Sequence, residues 1–369
     1  MENVNKDSLF FRLLRQELWQ LPAEDMSAFE KQEIDDALKT AKEQTVTALV
    51  ANSIIRNNMS VGRQRLMYCL SYQAQTKRNN LLLDDVLKTL ADTLNEQDIN
   101  YVVFKGQIAG LNYANPMLRT PGDIDFYCAA DDYDKAMDAI RNGLGITFDK
   151  RDFIDRHDSF AFNDVRCEMH YKMEVLGMGR HQRYYDRIME ENVCHHYDTV
   201  VIDDKEIRTL DATTNVLHIF KHLFNHLLVE GVGLRQCCDL AMAINRNKND
   251  IDFDRLDSDL KAIGYYRAFL ATTAMLVKYL GMEESCMPYH PGDVYYRWAD
   301  RMIAEIMFGG NFGRSGRKHN SGSMSRSFET ASIALRHCVK FFPLAPIDIA
   351  FLIPKRIGIS LKKYLEHLS

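Results

Sequence analysis

The sequence predicts an α+β protein: a small mixed sheet set between an N-terminal and a C-terminal helical region. Three observations predict it. Apolar residues recur at helical spacing over residues 1–96, first in Leu9, Phe10, Leu13, Leu14 and Leu18, then in Leu83, Val86, Leu87, Leu90 and Leu94. Over residues 97–210 the pattern changes to short apolar or alternating runs separated by short helical segments. Beyond Asp211 the helical spacing returns. The expected partition is a helical region at 1–96, a sheet core at 97–210, a helical domain at 211–308, and a basic loop with helices at 309–369.

Each element has a local reason. Pro22 separates the first two helices, because proline breaks a helix interior. Residues 100–104 read as a buried strand and 107–114 as a short helix. A second strand follows at 123–128. Asp131 and Asp132 favour the N-terminus of a helix over 131–142. Runs at 146–150, 158–163 and 165–172 read as further strands, and 180–191 as a helix. Residues 198–210 read as a hairpin turning at Asp203 and Asp204. Asp211 caps a long helix that Gly231 ends. Helices are then expected at 235–246, 253–280, 293–308, 326–341 and 357–368. The segment 309–323, rich in Gly, Ser, Arg and Lys, reads as a loop or linker.

Composition narrows the function. A chain of 369 residues is long enough for two compact domains, or for one with a helical extension. A net charge of −5 argues against nucleic acid as a partner of the whole chain. From Asn311 onward ten Lys or Arg face three acids, which makes a solvated helix face or a patch for phosphate, an anionic surface or an acidic partner. The eight cysteines form no CxxC pair, so a disulfide framework is not expected. The polar N-terminus shows no signal-peptide pattern. No transmembrane segment is expected, since the longest apolar stretch, 341–354, contains Pro343, Pro346 and Asp348. The expected setting is the cytoplasm.

Chemistry concentrates between Tyr101 and Cys128. An apolar run ends in Lys105-Gly106, Arg119 follows, and Asp123-Ile124-Asp125 leads into more apolar residues. Carboxylates at i and i+2 of an extended segment share a face and can hold one or two hard cations. A lysine before a glycine-led turn suits phosphate. From Val165 to Lys172 polar and apolar residues alternate, which puts Arg166, Glu168, His170 and Lys172 on one strand face. Glu168 is then a third carboxylate, either a metal ligand or a base that takes the acceptor's proton. His218, His222 and His226 stack on one helix face at steps of four. Without HExxH or a nearby cysteine pair they read as lining the cleft or packing in the core. Arg235 and Asp239, at i and i+4, read as a helix ion pair.

These motifs resemble the polymerase-β-type nucleotidyltransferases, and within them a bacterial branch in which a Lys-Gly strand end, an Arg and an Asp-x-Asp strand follow in order. Lys105-Gly106, Arg119 and Asp123-Ile124-Asp125 match that order. Glu168-Met169-His170 sits where the branch carries an acidic-x-His strand. His222 and the run from Leu234 to Ala241 are similar to its helical half. The resemblance implies Mg²⁺-dependent transfer of a nucleoside monophosphate, AMP foremost, from a nucleoside triphosphate to an acceptor, with release of pyrophosphate. Asp123, Asp125 and Glu168 are the implied catalytic residues and hold two Mg²⁺ ions. Lys105, Gly106 and Arg119 bind the nucleotide, and His170, His222, Arg235 and Asp239 line the cleft.

The chain departs from the wider superfamily in two ways: the interval from Gly106 to Asp123 is longer than the common one, and one motif is changed. Lys105-Gly106 stands where a Gly-Ser is usual, so the serine that meets the triphosphate is absent. Lys105 and the amides of the next helix are expected to replace it. The acceptor is not fixed by sequence. An antibiotic-type adenylyltransferase and a non-catalytic binding or regulatory module are the alternatives.

Overall fold

The N-terminal apolar spacing becomes α1 (Leu9–Leu18), α2 (Lys31–Glu43), α3 (Thr47–Arg56) and α4 (Arg63–Asn95) in a computed structural model that describes residues 4–26, 28–149, 156–311 and 323–366. At about 1.5 Å per residue, α4 is roughly 50 Å long. That length lets it pack against α3 at one end and cover the sheet at the other.

The sheet has six strands: β1 (Tyr101–Phe104), β2 (Ile124–Cys128), β3 (His157–Phe162), β4 (Val165–His170), β5 (Asp198–Ile202) and β6 (Lys205–Thr209). Their order is β3-β4-β2-β1-β6-β5. The sheet is mixed: β2 runs parallel to β4 and β1 to β6, while the other neighbours are antiparallel. Between the strands lie α5 (Gly106–Gly110), α6 (Tyr133–Leu144) and α7 (Gly179–Glu191).

Alternation along the strands sorts the side chains. Val103, Phe126, Cys167 and Met169 pack on one face against Leu87, Leu90 and Leu94 of α4 and Ile140 of α6. Val102, Phe104 and Tyr127 belong to a second core on the opposite face. By the same parity Asp125, Glu168 and His170 turn toward that opposite face.

The second core is built by α8 (Ala212–Val229), α9 (Leu234–Arg246), α10 (Phe253–Ala262), α11 (Tyr266–Met275) and α12 (Asp293–Gly309), with α13 (Ser323–Phe341) and α14 (Pro346–Glu366) beyond. Asp211 caps α8 by accepting from the Thr213 and Thr214 amides. Helices α1–α3 share this core. The Trp19 indole donates to the Leu280 carbonyl at 2.5 Å, and Gln44 joins the Ile306 carbonyl at 3.1 Å to the Leu234 amide at 3.0 Å. The N-terminal helices are thus packed into the C-terminal region although the sheet separates them in sequence.

Several elements differ from expectation. The helix expected at 253–280 divides into α10 and α11 at Gly264, whose φ of +79° is a left-handed conformation suited to glycine. The helix expected at 107–114 stops at Gly110, and Pro116–Leu118 forms one 3₁₀ turn. Residues 146–149 do not join the sheet. They cross β3, where the Asp149 amide donates to the Ser159 carbonyl and Phe148 packs edge-on against Phe160. The last helix starts earlier than expected because Pro346 fits the first helical position and Asp348 the first turn. Of the loop expected at 309–323, residues 312–322 lie outside the described residues, Gly309 ends α12 and Ser323 begins α13. Among those residues no helix is long and apolar enough to cross a membrane.

Candidate active site

Strand register assembles the site. In the parallel β2–β4 pair Asp125 lies opposite Glu168, and Tyr127 opposite His170. On the other side of β2, Phe104 lies opposite Asp125. The end of β1 that carries Lys105 therefore meets the start of β2 that carries Asp123. All the site residues expected from sequence line one cleft of about 250 Å³ between the sheet and α8 and α9. His226 lines it too. His218 is fully buried in the second core, where its Nδ1 meets the Tyr185 hydroxyl at 2.8 Å and its ring packs edge-on against Phe104.

The Lys105-Gly106 turn has an unusual backbone. Lys105 has φ +57°, which L-residues other than Asn and Asp rarely adopt. Gly106 follows with φ +36°, and a Cβ there would lie 3.1 Å from the Asp123 carbonyl oxygen. The turn is thus pressed against the strand that carries the carboxylates. Its lysine Nζ lies 3.3 Å from Asp125 Oδ1.

The acidic cluster is crowded. Burial, then the neighbouring Asp125, pushes the Asp123 carboxyl above its ordinary range. Burial, then Asp125 and Asp123, pushes Glu168 up to about 7. Burial also acts to raise Asp125, but Lys105 and the His170 hydrogen bond outweigh it and hold this carboxyl below the usual range. His170 Nε2 lies 2.8 Å from Asp125 Oδ1, and burial pushes the imidazole below its ordinary range. Glu168 Oε1 accepts from Arg166 Nε at 3.0 Å, while Oε2 lies 3.4 Å from His157 Nδ1. Hard carboxylate oxygens are the donors Mg²⁺ prefers, and two acids held above their usual pKa by burial and then by like charge are a place where a cation lowers the energy. The three carboxylates are a donor set that would suit a hard divalent cation.

Arg235 and Asp239 do not make the pair that their spacing suggests. Asp239 pairs with Arg119 and not with Arg235: Arg119 Nε and Nη2 reach its two carboxylate oxygens at 2.8 and 2.9 Å, and the Tyr113 hydroxyl donates to it at 2.8 Å. A two-pronged buried pair outcompetes the i,i+4 contact. Arg235 instead donates from Nη1 to the Thr120 and Pro121 carbonyls at 3.1 and 3.3 Å. It enters no ion pair among the described residues, and its Nε is buried without a hydrogen-bond partner. Burial, then Arg119, lowers its pKa. Asn80 of α4 fixes the approach to Asp123 by donating to the Arg119 carbonyl at 3.0 Å and the Met117 carbonyl at 3.2 Å.

Three residues of this region were not singled out from sequence. Arg156 Nη1 donates to the fully buried Glu174 at 2.8 Å, and His222 Nδ1 meets the same carboxylate at 2.8 Å. Burial acts to raise Glu174, but Arg156 and then His222 hold it well below its ordinary range. Burial, then Lys105 and His226, pushes His222 well below its own, so the neutral ring donates from Nδ1 and keeps Nε2 as an acceptor. His157 is the third, opposite His170 in the β3–β4 ladder. Extending the expected strand at 158–163 back by one residue would have placed it there.

The family model described as uncharacterised nucleotidyltransferase matches residues 30–281, more than half of the chain. Among solved structures, an antigenic nucleotidyltransferase-like protein from Paracoccidioides brasiliensis is 12% identical, with a TM-score of 0.36 over 55% of this chain and 93% of that one. The antibiotic-resistance factor ANT(2'')-Ia is also 12% identical, with a TM-score of 0.34 over 53% of this chain and 96% of that one. No curated protein matches.

Proposed function

We propose a specific reaction for this chain, which belongs to the uncharacterised nucleotidyltransferase family and is a transferase of nucleotidyl groups: transfer of a nucleoside monophosphate, AMP foremost, from a nucleoside triphosphate to an acceptor, with release of pyrophosphate. The observation that carries the reading is the register that sets Glu168 beside Asp125, with Asp123 at the mouth of the same strand. Three carboxylates from two adjacent strands converge where Lys105 also reaches.

Asp123, Asp125 and Glu168 would hold Mg²⁺. When bound, the ion neutralises phosphate charge and favours both the attacking and the departing oxygen. The remaining work falls to the chain. Lys105, beside Asp125, supplies positive charge to the phosphates from the end of β1. Arg235 supplies a second cation from α9, its guanidinium uncommitted to any carboxylate among the described residues. Arg119 lines the cleft but is committed to Asp239, so its role is to fix α9 against the loop before β2. The Arg156–Glu174–His222 network holds the floor of the cleft and presents His222 Nε2 as an acceptor for a hydroxyl or amine proton. Free thiols and a nucleoside-triphosphate substrate suit a cytoplasmic setting.

The test is calorimetric titration with ATP, GTP, CTP and UTP, each with and without Mg²⁺, on the wild type and on Asp123→Ala/Asp125→Ala. The expected result is Mg²⁺-dependent binding of one nucleotide, abolished in the double variant, together with loss of all measurable transfer and a nearly unchanged Tm. Equal binding or full activity in the double variant refutes the assignment.

A further inference from the structure

Beside the paired aspartates lies a donor set of a different chemical kind. His157, Glu168 and His170 each present a ligand atom, and these three atoms lie within 4.8 Å of one another. Glu168 Oε2 is 3.4 Å from His157 Nδ1 and 3.8 Å from His170 Nε2. An ion held at about 2.0–2.2 Å by tetrahedral donors needs them roughly 3.3–3.6 Å apart. Small side-chain adjustments therefore enclose an ion without moving the backbone.

The surroundings complete the arrangement. Arg166 Nε occupies Glu168 Oε1 at 3.0 Å, which leaves Oε2 on the side of the two imidazoles. His170 Nδ1 lies 3.5 Å from the Lys172 carbonyl oxygen. A ligating histidine characteristically donates its other ring N–H to a carbonyl or carboxylate, which fixes the tautomer. With the proton on Nδ1, His170 gives up its donation to Asp125 and turns the Nε2 lone pair to the ion. Asp125 Oδ1, 2.8 Å from that nitrogen, keeps the Lys105 ammonium at 3.3 Å as its partner. His157, Glu168, His170 and Asp125 all line the cleft. β3 and β4 hold the histidines rigidly, since His157 pairs with His170 across the ladder.

We propose that His157, Glu168 and His170 form a binding site for a borderline divalent transition-metal ion, of the Mn²⁺, Co²⁺ or Zn²⁺ class, next to the Asp123–Asp125 position. Two imidazoles favour these ions over Mg²⁺, which prefers oxygen throughout. Three protein ligands would leave coordination positions open for water or a substrate oxygen, and with Glu168 serving this ion the Mg²⁺ would be left to Asp123 and Asp125. The inference rests on the proposed function for what the ion does, and on this geometry alone for where it binds.

Co²⁺ is the probe, because its visible absorption reports ligand type and geometry. The full chain, stripped of metal, is titrated with Co²⁺ as wild type, His157→Ala, His157→Gln and Asp123→Ala, with circular dichroism to confirm folding of each. The wild type is expected to bind one Co²⁺ per chain that a large molar excess of Mg²⁺ does not displace, and X-ray absorption is expected to show imidazole scattering. His157→Ala and His157→Gln are expected to weaken Co²⁺ binding at least about tenfold and to alter the spectrum. Asp123→Ala is expected to keep the Co²⁺ spectrum while losing Mg²⁺-dependent nucleotide binding. The proposal is overturned if both folded His157 variants retain wild-type Co²⁺ affinity and spectrum, if Mg²⁺ displaces Co²⁺ freely, or if the wild type binds none. Nucleotide binding, measured separately, decides the proposed function whichever of these results is found.

Discussion

The two faces of the sheet use the same strands for different purposes. Along β2 and β4, Phe126, Cys167 and Met169 point toward α4 and α6 and are buried in an apolar cluster. One residue out of phase, Asp125, Glu168 and His170 point to the cleft and meet one another and Lys105. The first face lowers the free energy of the fold by removing apolar surface from water. The second gathers like charges and buried polar groups, which raises it. Parity along a strand is what keeps the two effects apart, and a one-residue slip in register would exchange them.

The largest change that breaks this contrast falls on the carboxylates, through the Asp123→Ala/Asp125→Ala loss of binding and transfer at nearly constant Tm described above. Its mirror image is Phe126→Ala, which empties a fully buried ring position in the apolar cluster. That change should cost about 3–5 kcal/mol in denaturant unfolding. Nucleotide affinity per folded molecule should stay near wild type. A large affinity loss there would mean that the faces are not independent.

Asp239→Ala sharpens the boundary, because Asp239 lines the cleft yet is paired with Arg119. Leaving Arg119 buried without its partner should cost about 3–5 kcal/mol, whereas Arg119→Met/Asp239→Leu should cost much less. If Asp239→Ala instead leaves stability intact and abolishes binding, the pair belongs with the functional face.

A smaller effect comes from pH. Burial pushes His218, beneath the cleft, down to about 3 from an ordinary 6.5. Below 6.5 the unfolded state takes up a proton that the folded state refuses until about 3, so the unfolded state binds more protons across that window. Stability should therefore fall as pH drops from 6.5 toward 3 and level off below. Each unit is on the order of 1.4 kcal/mol, so His218 alone should make the unfolding free energies from denaturant titration at pH 7 and pH 5 differ by about 2 kcal/mol. Replacing His218 with Gln should reduce that slope by the His218 share, leaving the part due to His170 and His222.

How much of this was legible in sequence follows from the range of the interactions. The alternation from Val165 to His170 and the i,i+2 aspartates are local, and they name the correct strand face directly. The neighbour relations are not local. That β4 pairs with β2, and so puts Glu168 opposite Asp125, depends on which strands meet in the folded sheet. Asp239 illustrates the same limit. Its i,i+4 neighbour Arg235 is visible in sequence, but the partner it takes is Arg119, far away in the chain, which offers a two-pronged fork in a buried site. Gly264 shows the opposite error, since apolar spacing ran straight across a glycine whose left-handed backbone ends one helix before the next begins. The helical spacing of residues 1–96 gave no hint that α1–α3 would share a core with α8–α12, because that contact joins segments far apart in the chain.

The backbone of Lys105 sets a limit on how this protein could be improved. A non-glycine residue at φ +57° costs on the order of 1–2 kcal/mol. Lys105→Gly relaxes that cost, but it also removes the ammonium 3.3 Å from the buried Asp125 carboxylate, and that loss is the larger of the two. Calorimetry should show a Tm below wild type, with nucleotide affinity clearly reduced. Stability and substrate then hold the lysine in its strained place together, and selection for heat resistance alone would not drift away from it.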